Sequence, residues 1–242
     1  MGLTIHYTLR ADAASPAEAR ALMEKLHARA RAIPFQQVTE VIEFENELPD
    51  NWAEKHDRLA GWLALNSGHA LQLADEHWDM VPASHTVGFV ARPGEGSEPA
   101  TFALCLYPDS IEFKGRTVPT FLEGWRWQGH CKTQYASNPA CGGTENFLRC
   151  HLSIVQLLDA AAELGMLGEV VDEGGYWQSR SVEQLTGQVN RHNRLIAGFV
   201  GAMRDTVENA GGNPKSLQSE ITRYPDFEHL EADQRVKEEE EE

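Results

Sequence analysis

Apolar and polar residues alternate at the start of the chain. Leu3, Ile5, Tyr7 and Leu9 stand against Thr4, His6, Thr8 and Arg10, the period of a half-buried strand. Ser15-Pro16-Ala17-Glu18 then supplies a helix start, with Ser as cap, Pro at the first helical position and Glu reaching back. The helix carries Ala19, Leu22, Leu26 and Ala30 along one stripe and stops before Pro34. Residues 38–44 read as a second strand. Strand, helix and strand in this order form a βαβ signal.

Residues 51–65 fit a helix with Trp52, His56, Leu59 and Leu63 on one side, and residues 66–82 fit either a strand or a short helix. Residues 86–91 and 101–107 form two apolar runs around the turn-rich Pro93-Gly94-Glu95-Gly96-Ser97, which predicts an antiparallel hairpin. The opening grammar then recurs as a strand over 125–135, a helix over 146–164 and a strand over 169–172. The helix stripe is Phe147, Cys150 or His151, Ile154, Leu158, Ala161 and Leu164, with Gly165 as terminator. Ser181-Val182-Glu183-Gln184 caps a long helix whose stripe is Leu185, Val189, His192, Ile196, Phe199, Met203 and Val207, expected to pack across the sheet. It ends near Gly211-Gly212-Asn213-Pro214, and an irregular stretch with a short strand around Ile221 follows.

These elements predict an α+β fold. Its mixed β-sheet has βαβ units at both ends, ferredoxin-like with insertions, and the helices pack mainly on one face. One domain over residues 1–227 is expected, followed by an acidic, disordered tail over 228–242. Two small domains dividing near residue 84 are the alternative.

Charge sharpens this picture. The 242 residues hold 37 acids and 21 bases, a formal charge of −16, which argues against a generally basic nucleic-acid binder but leaves room for a local phosphate site. Residues 238–242 are all Glu, a run that repels itself and buries nothing. The interval 113–160 departs from the rest, with Lys114, Arg116, Arg126, Lys132 and Arg149 against Glu123, Glu145 and Asp159. A positive island in an acidic chain points to an anion-accepting face, or to chance. No uncharged apolar run reaches a membrane span, no cationic leader precedes an apolar core, and four cysteines in a chain of this size fit reduced thiols in the cytoplasm.

Candidate chemistry centres on Trp125-Arg126-Trp127-Gln128-Gly129-His130-Cys131-Lys132-Thr133-Gln134-Tyr135. On a strand, Arg126, Gln128, His130, Lys132 and Gln134 share one face, and Trp125, Trp127, Cys131 and Tyr135 the other. Arg and Lys hold carboxylates or phosphates, and Gln and His orient them. The competing reading is a solvated outer face over an aromatic interior. Gly142-Gly143-Thr144 leads into a helix whose first N–H groups suit an anion, near Lys132 and Arg126, or forms a simple loop and cap. Asp172-Glu173-Gly174-Gly175-Tyr176-Trp177 follows the last strand. There Asp172 or Glu173 would act with His130 in proton transfer, and Tyr176 and Trp177 would offer stacking surfaces; a surface turn is the alternative.

Cys131, Cys141, Cys150 and His151 lack the tight C-x₂₋₄-C spacing of a zinc site, so no metal is assigned. The P-loop, G-x-S-x-G, H-E-x-x-H and G-x-G-x-x-G patterns are missing, and the sequence leaves the cofactor open. The expected partner is a small anionic ligand on the polar strand face, with neither nucleic acid nor membrane. An enzyme using His130 with Asp172 or Glu173 is one alternative. A protein-interaction module presenting an acidic surface over 40–57 is the other.

Overall fold

The computed structural model describes residues 3–45, 58–72 and 78–241. Strand β1 (Thr4–Ala11) keeps the predicted alternation and buries Ile5, Tyr7 and Leu9. Helix α1 (Pro16–Ala30) starts as its sequence requires, the Ser15 side chain accepting the Glu18 N–H, and buries Ala19, Met23, Leu26 and Ala30. Short strands β2 (Gln37–Val38) and β3 (Ile42–Glu45) follow. Of the helix expected over 51–65, the first part lies outside the described residues. Its end is a 3₁₀ turn at Arg58–Ala60 and helix α2 (Gly61–Leu65). The ambiguous stretch after it forms strands, β4 (His69–Gln72) and β5 (Trp78–Val81), paired with each other.

Strands β6 (His85–Arg92) and β7 (Ala100–Leu106) make the antiparallel hairpin that their apolar runs predict. A second hairpin, β8 (Ser110–Phe113) and β9 (Arg116–Pro119), has no counterpart in the sequence reading. Its two-residue turn places Lys114 at φ 50 and Gly115 at φ 73, and the strands it joins are short and mostly exposed. Then come β10 (Trp125–Lys132), α3 (Gly143–Glu163), β11 (Leu167–Asp172), α4 (Tyr176–Ser179), α5 (Val182–Asn209) and α6 (Phe227–Glu241). Among the described residues no helix is long and apolar enough to cross a membrane.

The main sheet runs β11–β1–β10–β7–β6–β2, with β3 also on β6. Every neighbouring pair in it is antiparallel, which corrects the expectation of a mixed sheet. The reason is connectivity. Helix α3 joins β10 to β11, but β1 inserts between them; α1 leads from β1 to β2, with three strands between the two. Neither helix joins sheet neighbours, so neither creates a parallel pair.

One sheet face is the core. Ile5, Leu9, Phe89, Phe102, Leu104 and Trp127 pack with Met23 and Leu26 of α1 and with Ile154 and Leu158 of α3. Full burial of side chains this size contributes about 1.5–3 kcal/mol each. Tyr7 stacks on Phe102 at 4.9 Å, and its hydroxyl and the Trp127 indole N–H both donate to the Thr101 carbonyl at 2.8 Å. Gly129, opposite Tyr7 in register, makes room for that ring, since a Cβ there would lie 2.5 Å from it.

The second face is divided. Thr86, Gly88, Val90, Thr101, Ala103 and Cys105 of β6 and β7 are buried. The segment from Leu59 to β4 covers them: Leu59 and Leu63 join the core, Tyr107 donates its hydroxyl to the Ser67 carbonyl at 3.0 Å, and His69 packs edge-on against the Tyr107 ring. Across β11, β1 and β10 the same face is open.

Helix α5 begins at the predicted Ser181 cap, yet its buried stripe is Leu185, Val189, Asn193, Ala197 and Val200. Phe199 is 61% and Met203 40% exposed, so the predicted stripe is rotated away from its packing surface. The helix lies against α3 and α6 and not across the sheet. Gly198 and Gly201 admit α6, whose Gln234 and Glu231 side chains fill the positions where Cβ atoms would stand. Helix α6 takes up most of residues 228–242, the segment expected as an acidic, disordered tail. Around Ile221 the chain forms a 3₁₀ turn, Glu220–Arg223, with Ile221 buried, where a strand was expected.

Candidate functional site

Strand β10 ends at Lys132, not at residue 135, and a 3₁₀ turn over Gln134–Ser137 follows. The polar row is therefore Arg126, Gln128, His130 and Lys132. Strand β1 stands directly opposite it, pairing Arg10 with Arg126, Thr8 with Gln128, His6 with His130 and Thr4 with Lys132. Opposed residues of an antiparallel pair share a face, so the open half of the sheet carries a two-column ladder of polar side chains. Strand β11 adds Val171, opposite His6, and Glu169, whose N–H donates to the Thr8 hydroxyl at 2.8 Å.

His6, Thr8, Gln128, His130, Glu169 and Val171 line a shallow depression of about 370 Å³. The two imidazole rings lie side by side, centroids 6.1 Å apart and planes 33° from parallel. Among the described residues neither imidazole nor the Gln128 amide has a hydrogen-bond partner, and none is a buried orphan, so their polar atoms are available to a ligand.

The row does not act as one site. Arg126 and Lys132 are six residues apart on one strand, about 20 Å, too far to share a small anion. Lys132 turns instead to Tyr135, its ammonium 4.5 Å from the ring centroid. Gln134 leaves the row entirely. It is fully buried, accepting the Leu3 N–H at 3.2 Å and donating to Asn193 Oδ1 at 3.1 Å, and Asn193 in turn donates to Ser137.

Asp172 does not meet His130. It pairs in register with Ile5, so it faces the core, and its side chain is fully buried. One oxygen lies 3.2 Å from His151 Nε2 and accepts the Trp177 N–H at 2.8 Å; the other accepts the Gly174 N–H at 2.8 Å. His151 Nδ1 is 3.0 Å from the Thr133 hydroxyl, which closes a buried Thr–His–Asp chain. Burial pushes the Asp172 carboxyl up, but hydrogen bonds from His151 and the two N–H groups outweigh it and hold its pKa below the usual value. Glu173 is engaged elsewhere, its carboxylate accepting the Thr4 N–H at 2.8 Å. Strand β11 is antiparallel to β1, so Asp172 and Glu173 do not mark the carboxyl end of a parallel sheet.

Gly142, with φ 104, takes the cap position of α3, so Thr144 is not the cap. The Gly142 and Gly143 N–H groups already bond the Pro139 and Asn138 carbonyls, and Arg126 is at the far end of β10. Tyr176 and Trp177 pack partly into the core, and the Arg180 guanidinium lies over the Trp177 ring at 4.5 Å. That cation occupies the surface expected to stack on a ligand. The four cysteines are free, and burial pushes the Cys131 thiol up to about 12 and Cys105 up to about 11. Among the described residues no three His, Cys, Asp or Glu side chains gather as metal ligands.

The structure thus brings together Gln128 and His130 and adds His6, Thr8, Arg10 and Glu169, which the sequence reading missed. The β1 alternation marked His6, Thr8 and Arg10 as one polar face; nothing in it shows that β10 is the neighbour. Compared with known proteins, the chain matches no protein-family model, no curated protein and no solved structure, so the site is argued from its own geometry.

Proposed function

We propose that this protein binds a small ligand bearing an anionic group on the open half of its sheet, over β11, β1 and β10. One observation carries the reading: His6, His130 and Gln128 converge on one depression with their hydrogen-bonding atoms unengaged. Paired imidazoles and an amide suit an oxygen-rich, anionic group, and Val171 gives the floor an apolar patch for the ligand's body. An acid–base version of this site would use Glu169, which lines the same depression as both histidines, in place of Asp172 or Glu173. The acidic surface over 40–57 falls mostly outside the described residues and lends no support to an interaction module.

We read the scaffold as ferredoxin-like with an inserted β6–β7 hairpin. The split unit β10–α3–β11 around β1 supports this. We place the chain in the cytoplasm, a reading favoured by its four unpaired cysteines.

The test is a thermal-shift screen against small phosphates and carboxylates, repeated on Gln128→Ala with His130→Ala. Ligands of the wild-type protein should raise its Tm, and the double variant should lose that rise while keeping its own unliganded Tm. Hits that stabilise both proteins equally would overturn the assignment of the site.

A further inference from the structure

The ladder has a second feature four residues along β1 from its histidines. Arg10 and Arg126 stand directly opposite each other, so their side chains leave the sheet about 5 Å apart on one face. Like charges in that position repel, and a protein with 37 acids has ample means of neutralising them. Among the described residues neither guanidinium has a carboxylate within ion-pair distance. The Arg126 Nη2 donates only to the Glu123 carbonyl, at 3.1 Å, and its Nε is buried without a partner. The Arg126 charge also reaches His69, whose imidazole is pushed below its ordinary pKa by burial first and by that charge second.

Two arginines paired across neighbouring strands on one sheet face, without an ion-pair partner among the described residues, suit a dianionic tetrahedral oxyanion. We propose that Arg10 and Arg126 bind the phosphoryl group of a phosphate monoester, whose body lies over Thr8 and Gln128 toward His6 and His130. This rests on the ligand-binding reading above and names its ligand class. A phosphate monoester carries close to two negative charges at neutral pH and matches the pair better than a single carboxylate does. Arg10 to His6 spans about 13 Å of strand, so an elongated ligand reaches from one pair to the other.

Isothermal titration at constant ionic strength tests this, with inorganic phosphate, phenyl phosphate and acetate as probes. The wild-type protein should bind one phosphate saturably, phenyl phosphate more tightly and acetate more weakly. R10Q and R126Q should each weaken phosphate binding about tenfold or more, as loss of a charge-assisted contact does. K132Q, about 20 Å from Arg126, should leave it unchanged. Arg10 is exposed, so R10Q decides the matter should R126Q fail to fold. Phosphate binding that survives R10Q but falls in His130→Ala would overturn the arginine site while leaving the depression as a ligand site. Absence of saturable phosphate binding, or acetate binding as tight as phosphate, would also overturn it, and the screen on Gln128 and His130 then judges the broader reading separately.

Discussion

Two groups of polar side chains meet at β10, one along its open face and one beyond its C-terminal end, and they differ in one property. At its C-terminal end, Thr133, Gln134, Ser137, His151, Asp172 and Asn193 are buried, and each has a named hydrogen-bond partner. Along its length, Arg10, Gln128, His6, His130 and Arg126 stand on the open face with at most one carbonyl contact among them. The residue types are similar in the two groups. Their partner counts separate a network that builds architecture from a surface that is available for recognition. The buried group joins four parts of the chain, since Gln134 ties Leu3 to Asn193 of α5 and Ser137 meets Tyr224 near α6.

If that distinction holds, substitutions in the two groups should separate stability from binding. Asp172→Ala should have the largest effect, because it removes the acceptor of His151, Trp177 and Gly174 at once. Buried groups left unsatisfied cost about 1–3 kcal/mol each, so a loss of at least about 3 kcal/mol in chemical denaturation is expected, with phosphate affinity intact in whatever fraction stays folded. Asn193→Ala comes next. It orphans the buried Gln134 amide and should cost about 1–3 kcal/mol, again without touching affinity. Loss of phosphate binding in folded Asn193→Ala protein would mean that the two groups are coupled and that the contrast is wrong.

Acid gives a milder probe of the buried group. The Asp172 carboxyl titrates lower in the folded chain than in the unfolded one, so its contribution is complete above the ordinary carboxylate range, near pH 4. It is lost as the pH falls through the lower folded value. Denaturation curves from pH 6 down to pH 2 should lose stability more steeply in wild type than in Asp172→Asn, and parallel curves would contradict the shift.

How far the sequence showed this division depends on the residue. Period-two alternation displayed both faces of β1 and β10, and Ser15 and Ser181 announced their helices, because those signals are local. The pairing of Arg10 with Arg126 is not local. It arises when β1 inserts between β10 and β11, with 115 positions between the paired arginines in the chain. Helix α5 misled for another reason. Hydrophobicity favours Phe199 and Met203 for the buried side, but the packed surface selected Asn193, which supplies the acceptor that buried Gln134 requires. Gln134 itself reads as the next step of an alternating strand, and only the turn at Thr133 sends it inward.

The smallest effect is the sharpest test, because its sign is unusual. Arg10→Glu places a carboxylate opposite Arg126 in a register where opposite charges attract and like charges repel. Most substitutions destabilise, yet this one should raise stability by about 0.2–1 kcal/mol, the range of a favourable cross-strand pair. It should also abolish phosphate binding, since the new carboxylate takes the guanidinium that the anion needs. A gain in stability together with lost binding is what a face kept electrostatically frustrated for a ligand requires. If Arg10→Glu is neutral or destabilising and phosphate still binds, the two arginines do not feel each other, and the open face is then only a solvated sheet surface.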